Sequence, residues 1–534
     1  LPQVDSRQLF RGAMILTAAA FITKILSAIY RVPFQNIVGD VGFYIYQQIY
    51  PIYGIALALS TYGFPVIISR LIAQNEVDQD VKKMKEMIQT AFLFLAAVGI
   101  ALFIVFYFGS SSLAKVMGDS KLTPLIKIIS ISFLLLPFLS VFRGYFQGIG
   151  NMFPTAVSQV IEQIVRVATI LLFSTVLIRS GKSLYITGGG AMFGSLTGGI
   201  SAILVLFTFV WVKRNTDIFS LRSKPFHIHW SWGKMLLFQG ASICISGMLL
   251  ILLQMVDSLS LYSTLIKHGI AELEAKQIKG IYDRGQPLVQ LGTVVATSLS
   301  LTLVPLVTSA YKKGDGEAVK AKVTIAWKIS IVVGLAATVG LMMLLEPVNT
   351  MLFENSDGTA VLRIFSLSIL FTSMILTLLG ILQGLGYSYA PTKYILLGIV
   401  VKYVGNVIFA SAFGTRGAAF ATVFALSVIV VLLVLKMKSI FGQSFASPVF
   451  YVKTGISVLL MMAVLRLWLW AASPLQSLFE SERVFSVLLS FGGVLIGGAV
   501  YVYVIIRRSI LAEEELLLLP LGSKLLSIQT RKKR

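Results

Sequence analysis

Fourteen separate apolar runs order this chain, each close to the ~20 residues a helix needs to cross the roughly 30 Å hydrocarbon core of a bilayer. The first six lie at 10–32, 41–72, 87–109, 122–147, 154–178 and 186–212. The next six lie at 234–266, 284–310, 323–345, 361–385, 392–413 and 417–435, and the last two at 450–472 and 484–506. Only 13% of the residues are charged and mean hydropathy is +0.86, too few charges to coat a water-soluble surface. The chain therefore reads as an all-α polytopic membrane protein. A string of soluble domains, a disordered chain, a disulfide scaffold and a secreted enzyme are excluded. The run that begins at Ala13 is too long for a signal-peptide core and is expected to be the first span.

An even number of spans puts both termini on one side. With the N-terminus inside, 28 of the 45 Lys and Arg lie on the cytoplasmic side, 14 outside and 3 within spans. The positive-inside rule then favours cytoplasmic termini. A net charge of +22 spread over many short loops sets topology and meets anionic lipid headgroups, and no nucleic-acid partner is expected. The tail from Ile510, with Leu clusters, Glu513-Glu514-Glu515 and a basic end, suits a helix lying on the inner leaflet or a loose tail.

A duplication divides the chain. Gln147-Gly148-Ile149-Gly150 precedes Pro154-Thr155, and Gln383-Gly384-Leu385-Gly386 precedes Pro391-Thr392. Pro65 and Ser69 near the end of the second span likewise match Pro305 and Ser309 near the end of the eighth. Six spans per copy is even, so the copies share an orientation, as in transporters built from two lobes. The expected organisation is an N-lobe at 1–222, a C-lobe at 223–447, two extra helices at 448–508 and a cytoplasmic tail at 509–534.

Charges within spans mark function, because each costs roughly 2.5–3.5 kcal/mol on the insertion scale. Lys24, Glu162, Arg166, Asp257 and Lys402 lie within spans, and Arg31, Asp40, Asp283 and Arg284 at the expected outer mouths. Aligned on the two prolines, Arg166 falls opposite Tyr403, one position from Lys402. The excess of cations fits an anionic substrate, with carboxylates as counter-charges or coupling-ion sites; interhelical salt bridges that fix packing are the alternative. Glu162 and Arg166, four apart on one helix face, are placed to neutralise each other. Tyr44, Tyr46, Gln47, Gln48, Tyr50 and Tyr53 crowd the start of the second span, as interfacial belt residues or as contacts to a sugar or polar headgroup.

Enzymatic and ATP-driven readings find little support. Segment 176–183 lacks the first glycine of a phosphate loop, and no metalloprotease motif is present. With one cysteine, Cys244, and three histidines, neither a disulfide nor a metal site is expected. No cofactor is expected; the drive is a monovalent cation or proton gradient, the membrane potential or mass action.

Arg11-Gly12-Ala13-Met14, Thr23-Lys24-Ile25-Leu26, Tyr30-Arg31-Val32-Pro33 and Tyr46-Gln47-Gln48-Ile49-Tyr50-Pro51 resemble the Gram-positive polysaccharide-biosynthesis transporters. These belong to the multidrug/oligosaccharidyl-lipid/polysaccharide (MOP) exporter superfamily. Tyr282-Asp283-Arg284 followed by Leu303-Val304-Pro305 resembles the MurJ-type lipid II flippases, in the YtgP branch with stage V sporulation protein B as a sibling. The resemblance spans all fourteen runs. It implies a MATE-like two-lobe bundle that flips undecaprenyl-diphosphate-linked peptidoglycan precursor, with a cationic cavity for the diphosphate and sugars. The last two helices would form a groove for the prenyl tail.

By that resemblance Lys24, Arg31 and Arg284 contact the headgroup, and Gln47, Tyr50, Arg166 and Lys402 complete the expected substrate set. Asp40, Glu162, Asp257 and Asp283 are the expected ion-coupling or counter-charge carboxylates. Lys24 stands where MurJ relatives commonly carry Arg, and so lacks bidentate phosphate geometry. The Tyr/Gln-rich start of the second span departs from the Gram-negative pattern. Expected partners are the lipid-linked glycan, anionic lipids and cell-wall synthases in a bacterial plasma membrane. Alternatives are flipping of another polyprenyl-linked polysaccharide or a spore-cortex precursor, cation-coupled multidrug export, or a scaffold for cell-wall synthases.

Overall fold

The computed structural model describes residues 6–77, 81–212, 229–387, 389–442, 445–513 and 515. The basic loop at 213–224, His227 and nearly all of the C-terminal tail lie outside them. In chain order the helices begin α1 (Ser6–Ile29), α2 (Arg31–Ala58), α3 (Phe64–Val77), α4 (Val81–Phe108), α5 (Ser110–Val116), α6 (Thr123–Ser130) and α7 (Leu136–Gly148). They continue α8 (Phe153–Arg179), α9 (Leu184–Val212), α10 (Trp230–Met235), α11 (Ala241–Gly247), α12 (Leu249–Lys267), α13 (Glu272–Asp283) and α14 (Gly285–Lys312). The last are α15 (Gly316–Phe353), α16 (Thr359–Ser366), α17 (Ser368–Gly384), α18 (Tyr389–Gly405), α19 (Ser411–Phe441), α20 (Pro448–Ala472) and α21 (Glu482–Arg507).

Eleven helical stretches among the described residues are long and apolar enough to cross a membrane. Two of them, Met14–Gln74 at 61 residues and Tyr389–Phe441 at 53, are far longer than one crossing, because each residue adds about 1.5 Å. Backbone breaks divide both. Gly39, at φ 67°, kinks α2 where a loop is expected between the first two spans, and Gly414, at φ 58°, does the same in α19. A φ of that sign is open to glycine at little steric cost. The stretches are consistent with fourteen crossings. One element was not foreseen: α13 carries Glu272 and Glu274 in its first turn and occupies what reads in the sequence as an outer loop.

The duplicated motif folds the same way twice. The Gly150 amide donates to Gln147 O and the Asn151 amide to Phe146 O; the Gly386 amide donates to Gln383 O and the Tyr387 amide to Leu382 O. Both glycines are left-handed, at φ 74° and 86°, which closes each helix with the same C-terminal cap.

The chain forms two compact units, one of residues 1–283 with 388–399, the other of 284–387 with 400–534. These boundaries do not follow the repeat: α10 to α13, which open the second sequence copy, belong to the first unit. In that unit Gln48 of α2 donates to Ser258 O of α12 at 3.1 Å, and Tyr44 packs on Tyr262. In the second unit, Leu288, Leu345 and Leu362 form a buried cluster, and Tyr501 of α21 donates to Val332 O of α15 at 2.8 Å.

Candidate anion-binding site

The site grows from the α1–α2 junction and from α8, all in the first unit. Arg31 opens α2 and is fully buried, its guanidinium carbon 4.3 Å from the centre of the Tyr50 ring. None of its three guanidinium nitrogens finds a hydrogen-bond acceptor at good geometry. Arg166 of α8 is buried against Tyr53 at 5.0 Å and Tyr30 at 5.6 Å, and Nη2 reaches Ser27 Oγ at 3.5 Å. Its Nε and Nη1 have no acceptor.

Four tyrosines join the two arginines. The Tyr30 and Tyr46 hydroxyls are 2.8 Å apart, and rings 46 and 50, then 50 and 53, follow at 6.0 and 6.1 Å. Helical spacing explains the wall: positions 46, 50 and 53 return to one face of α2. Among the described residues neither arginine forms an ion pair, so the cage holds two positive charges set mainly against tyrosine rings and one serine hydroxyl.

The expected pairing of Glu162 with Arg166 does not form. Glu162 Oε2 instead accepts from Arg143 Nη2 of α7 at 2.5 Å, with both side chains buried. Arg143 was not among the residues singled out from the sequence, although it lies within the expected span 122–147. Its Nη1 donates to Thr61 Oγ1 at 3.0 Å and Ser60 O at 3.4 Å, and its Nε to Ser158 Oγ at 3.3 Å. Ser60 and Thr61 lie in a π-helical turn, Leu59–Gly63, which alters the backbone bonding register and so presents a carbonyl to a side chain. Gly144, next to Arg143, brings α7 onto α3: a Cβ there would stand 2.6 Å from Ile68.

The other expected residues are placed separately. Lys24 is half-buried on α1, one turn before Ser27. Gln47 is buried, with Oε1 lacking a donor. Asp40 accepts from Gln35 Nε2 at 2.9 Å and Asp257 from the Tyr282 hydroxyl at 2.9 Å. Asp283, closing α13 outside the candidate spans, pairs with Lys279 at 2.5 Å. Burial pushes its carboxyl up to about 6, and the Lys279 ammonium pulls it back.

Arg284 and Lys402 belong to the second unit. Arg284 donates to Asn355 Oδ1 at 2.7 Å and lies 5.1 Å from the Phe353 ring. Lys402 is buried and donates to Ala418 O at 2.9 Å and Thr422 Oγ1 at 2.6 Å. Of the expected substrate residues, the structure thus brings together Arg31, Tyr50 and Arg166.

Comparison with known proteins fixes the family. Residues 9–311 match the family model described as polysaccharide biosynthesis protein. The chain belongs to that family. YabM of Bacillus subtilis (strain 168), described as an uncharacterized membrane protein, is 43% identical over 99% of this chain and 98% of its own. The lipid II flippase MurJ of the same organism is 25% identical over 93% of this chain and 95% of its own. The solved structure of the lipid II flippase MurJ in its inward closed conformation superposes with a TM-score of 0.68 at 16% identity, over 93% of this chain and 99% of that one. The chain is a multi-pass membrane protein that shares its fold with solved MurJ and MATE transporters, and the proteins it is similar to include flippases and transporters.

Proposed function

We propose that this chain is a flippase for a polyprenyl-diphosphate-linked glycan, with the peptidoglycan precursor lipid II as the leading candidate. The observation that carries the reading is the caged pair Arg31 and Arg166, with five guanidinium nitrogens lacking acceptors. Taking a cation out of water without a partner costs several kcal/mol. A diphosphate offers the missing charge and enough oxygens to engage both forks. The tyrosine faces suit the sugars beside it, while the prenyl tail stays in lipid.

In this reading the headgroup moves from the inner to the outer leaflet of the bacterial plasma membrane by alternating access, and both termini are cytoplasmic. A proton, a monovalent cation or the membrane potential supplies the drive, and Asp40, Glu162, Asp257 and Asp283 are the carboxylates to test for coupling. Lys24 and Arg284 remain proposed headgroup contacts from the family resemblance and Gln47 from its place among the tyrosines of α2, whereas Lys402, its ammonium met by Ala418 O and Thr422 Oγ1, is assigned to holding α18 on α19. Anionic lipids and cell-wall synthases are the proposed partners. A cation-coupled drug exporter would want carboxylates where this cage has guanidiniums. The higher identity to YabM than to MurJ supports, as a second reading, a different polyprenyl-linked glycan.

The test is the appearance of lipid II on the outer leaflet of cells depleted of their own flippases. Expression of this chain should restore it, and Arg166→Ala should not. No restoration by a properly inserted protein would sink lipid II as the substrate and move the reading to another lipid-linked glycan.

A further inference from the structure

Arg166 is an available cation because something else occupies the carboxylate one turn away. Glu162 and Arg166 share a face of α8 at i, i+4 spacing, where a Glu–Arg pair forms by default. Instead Glu162 is held by Arg143 at 2.5 Å. Every guanidinium nitrogen of Arg143 has an acceptor: Glu162, Thr61, Ser60 O and Ser158. Arg166, by contrast, keeps two without one. Arg143 and Glu162 sum to zero charge and leave the cage its full positive charge.

We infer that Arg143 is a positioning residue for the anion site: it sequesters Glu162 so that the Arg166 guanidinium stays open to an anionic headgroup. The inference rests on the reading of Arg166 as an anion contact. Without Arg143, a buried and unpaired Glu162 carboxylate turns to the cation one turn along its own helix, Arg166. The cage then loses half its charge without losing any residue that touches the ligand. The π turn has a role in this arrangement, since it supplies Ser60 O and Thr61 to anchor Arg143.

The experiment is binding of purified lipid II to the full chain in lipid nanodiscs, with folding followed by thermal unfolding and size exclusion. Arg143→Ala should weaken binding about tenfold or more, the scale of one charge-assisted hydrogen bond. Arg143→Ala with Glu162→Gln should return affinity to within about threefold of wild type, because a neutral amide no longer competes for Arg166. Arg143→Lys, which keeps a cation for Glu162, should bind nearly as well as wild type. A folded Arg143→Ala variant of wild-type affinity overturns the inference. So does a folded double variant that stays as weak as the single one, because a purely architectural Arg143 gives that result. If Arg166→Ala binds as wild type, the anion-site reading itself fails, whatever the Arg143 variants do.

Discussion

Two helices that follow the same glycine turn, α8 and α18, each carry one buried cation at nearly the same distance from it, and the protein treats the two oppositely. Lys402 of α18 is held by Ala418 O and Thr422 Oγ1. Arg166 of α8 lies among tyrosine rings with Nε and Nη1 unmet. The duplicated frame therefore does not carry a duplicated site. One copy uses its cation to tie helices together; the other leaves two nitrogens of its cation without an acceptor among the described residues, the place the proposed function gives to an anion.

The largest expected effect breaks the comparison on the α8 side. Arg166→Ala should weaken lipid II binding by about 1.5–3 kcal/mol, roughly 10–150-fold, the usual worth of a hydrogen bond to a charged group. Outer-leaflet exposure should fall with it. Lys402→Ala tests the other side. It should cost about 1–3 kcal/mol of stability through the unpaired groups it leaves behind, seen as a lower Tm. A loss of affinity as large as that of Arg166→Ala would return Lys402 to the binding site and erase the contrast.

A smaller effect sharpens the role of the cage. Tyr50→Leu should weaken binding by about 1 kcal/mol through loss of the ring beneath Arg31, while Tyr50→Phe keeps most of it. Equal losses would assign the role to the hydroxyl instead.

The last effect, spread over a range of pH and so least visible at any one, concerns a third kind of cation, one paired with a carboxylate outside the spans. With the Asp283 carboxyl raised to about 6 from 3.8, the folded chain binds a proton that the unfolded chain has released across that window. The carboxyl's contribution to stability should therefore be full at or below about pH 4 and be lost, by about 1–3 kcal/mol at most, as pH rises through about 6. Thermal unfolding of Asp283→Asn over the same range should be flatter than that of wild type; an unchanged slope would remove Asp283 as its source.

Much of this was legible in the residues. The apolar runs placed the helices because hydrocarbon selects for them directly, and the Gln-Gly-x-Gly turns announced the repeat. Arg31, Tyr50 and Arg166 were legible as candidates because a charge in an apolar run, or an aromatic crowd at its edge, stands out locally. Helix α13 was less visible: its charged residues and short length read as loop until packing against α2, with Gly280 facing the Asp40 backbone, buried a side that carries Lys276, Lys279 and Asp283. Arg143 was hidden by its position near the end of a span, where a basic residue is ordinary.

The sequence by itself determined the solvent this protein lives in, the apolar runs that become long helices, the sign of its embedded charge and the repeated glycine turn. These follow from composition and spacing, which act one residue or one turn at a time. Tertiary structure alone decided which carboxylate meets which cation. Glu162 had a partner on its own helix and took one from α7, because the π turn and Ser158 around Arg143 supply acceptors that a single helix face cannot assemble. Ion pairing in a medium with little water is settled by the full set of surrounding donors and acceptors, and that set exists only once the helices are packed.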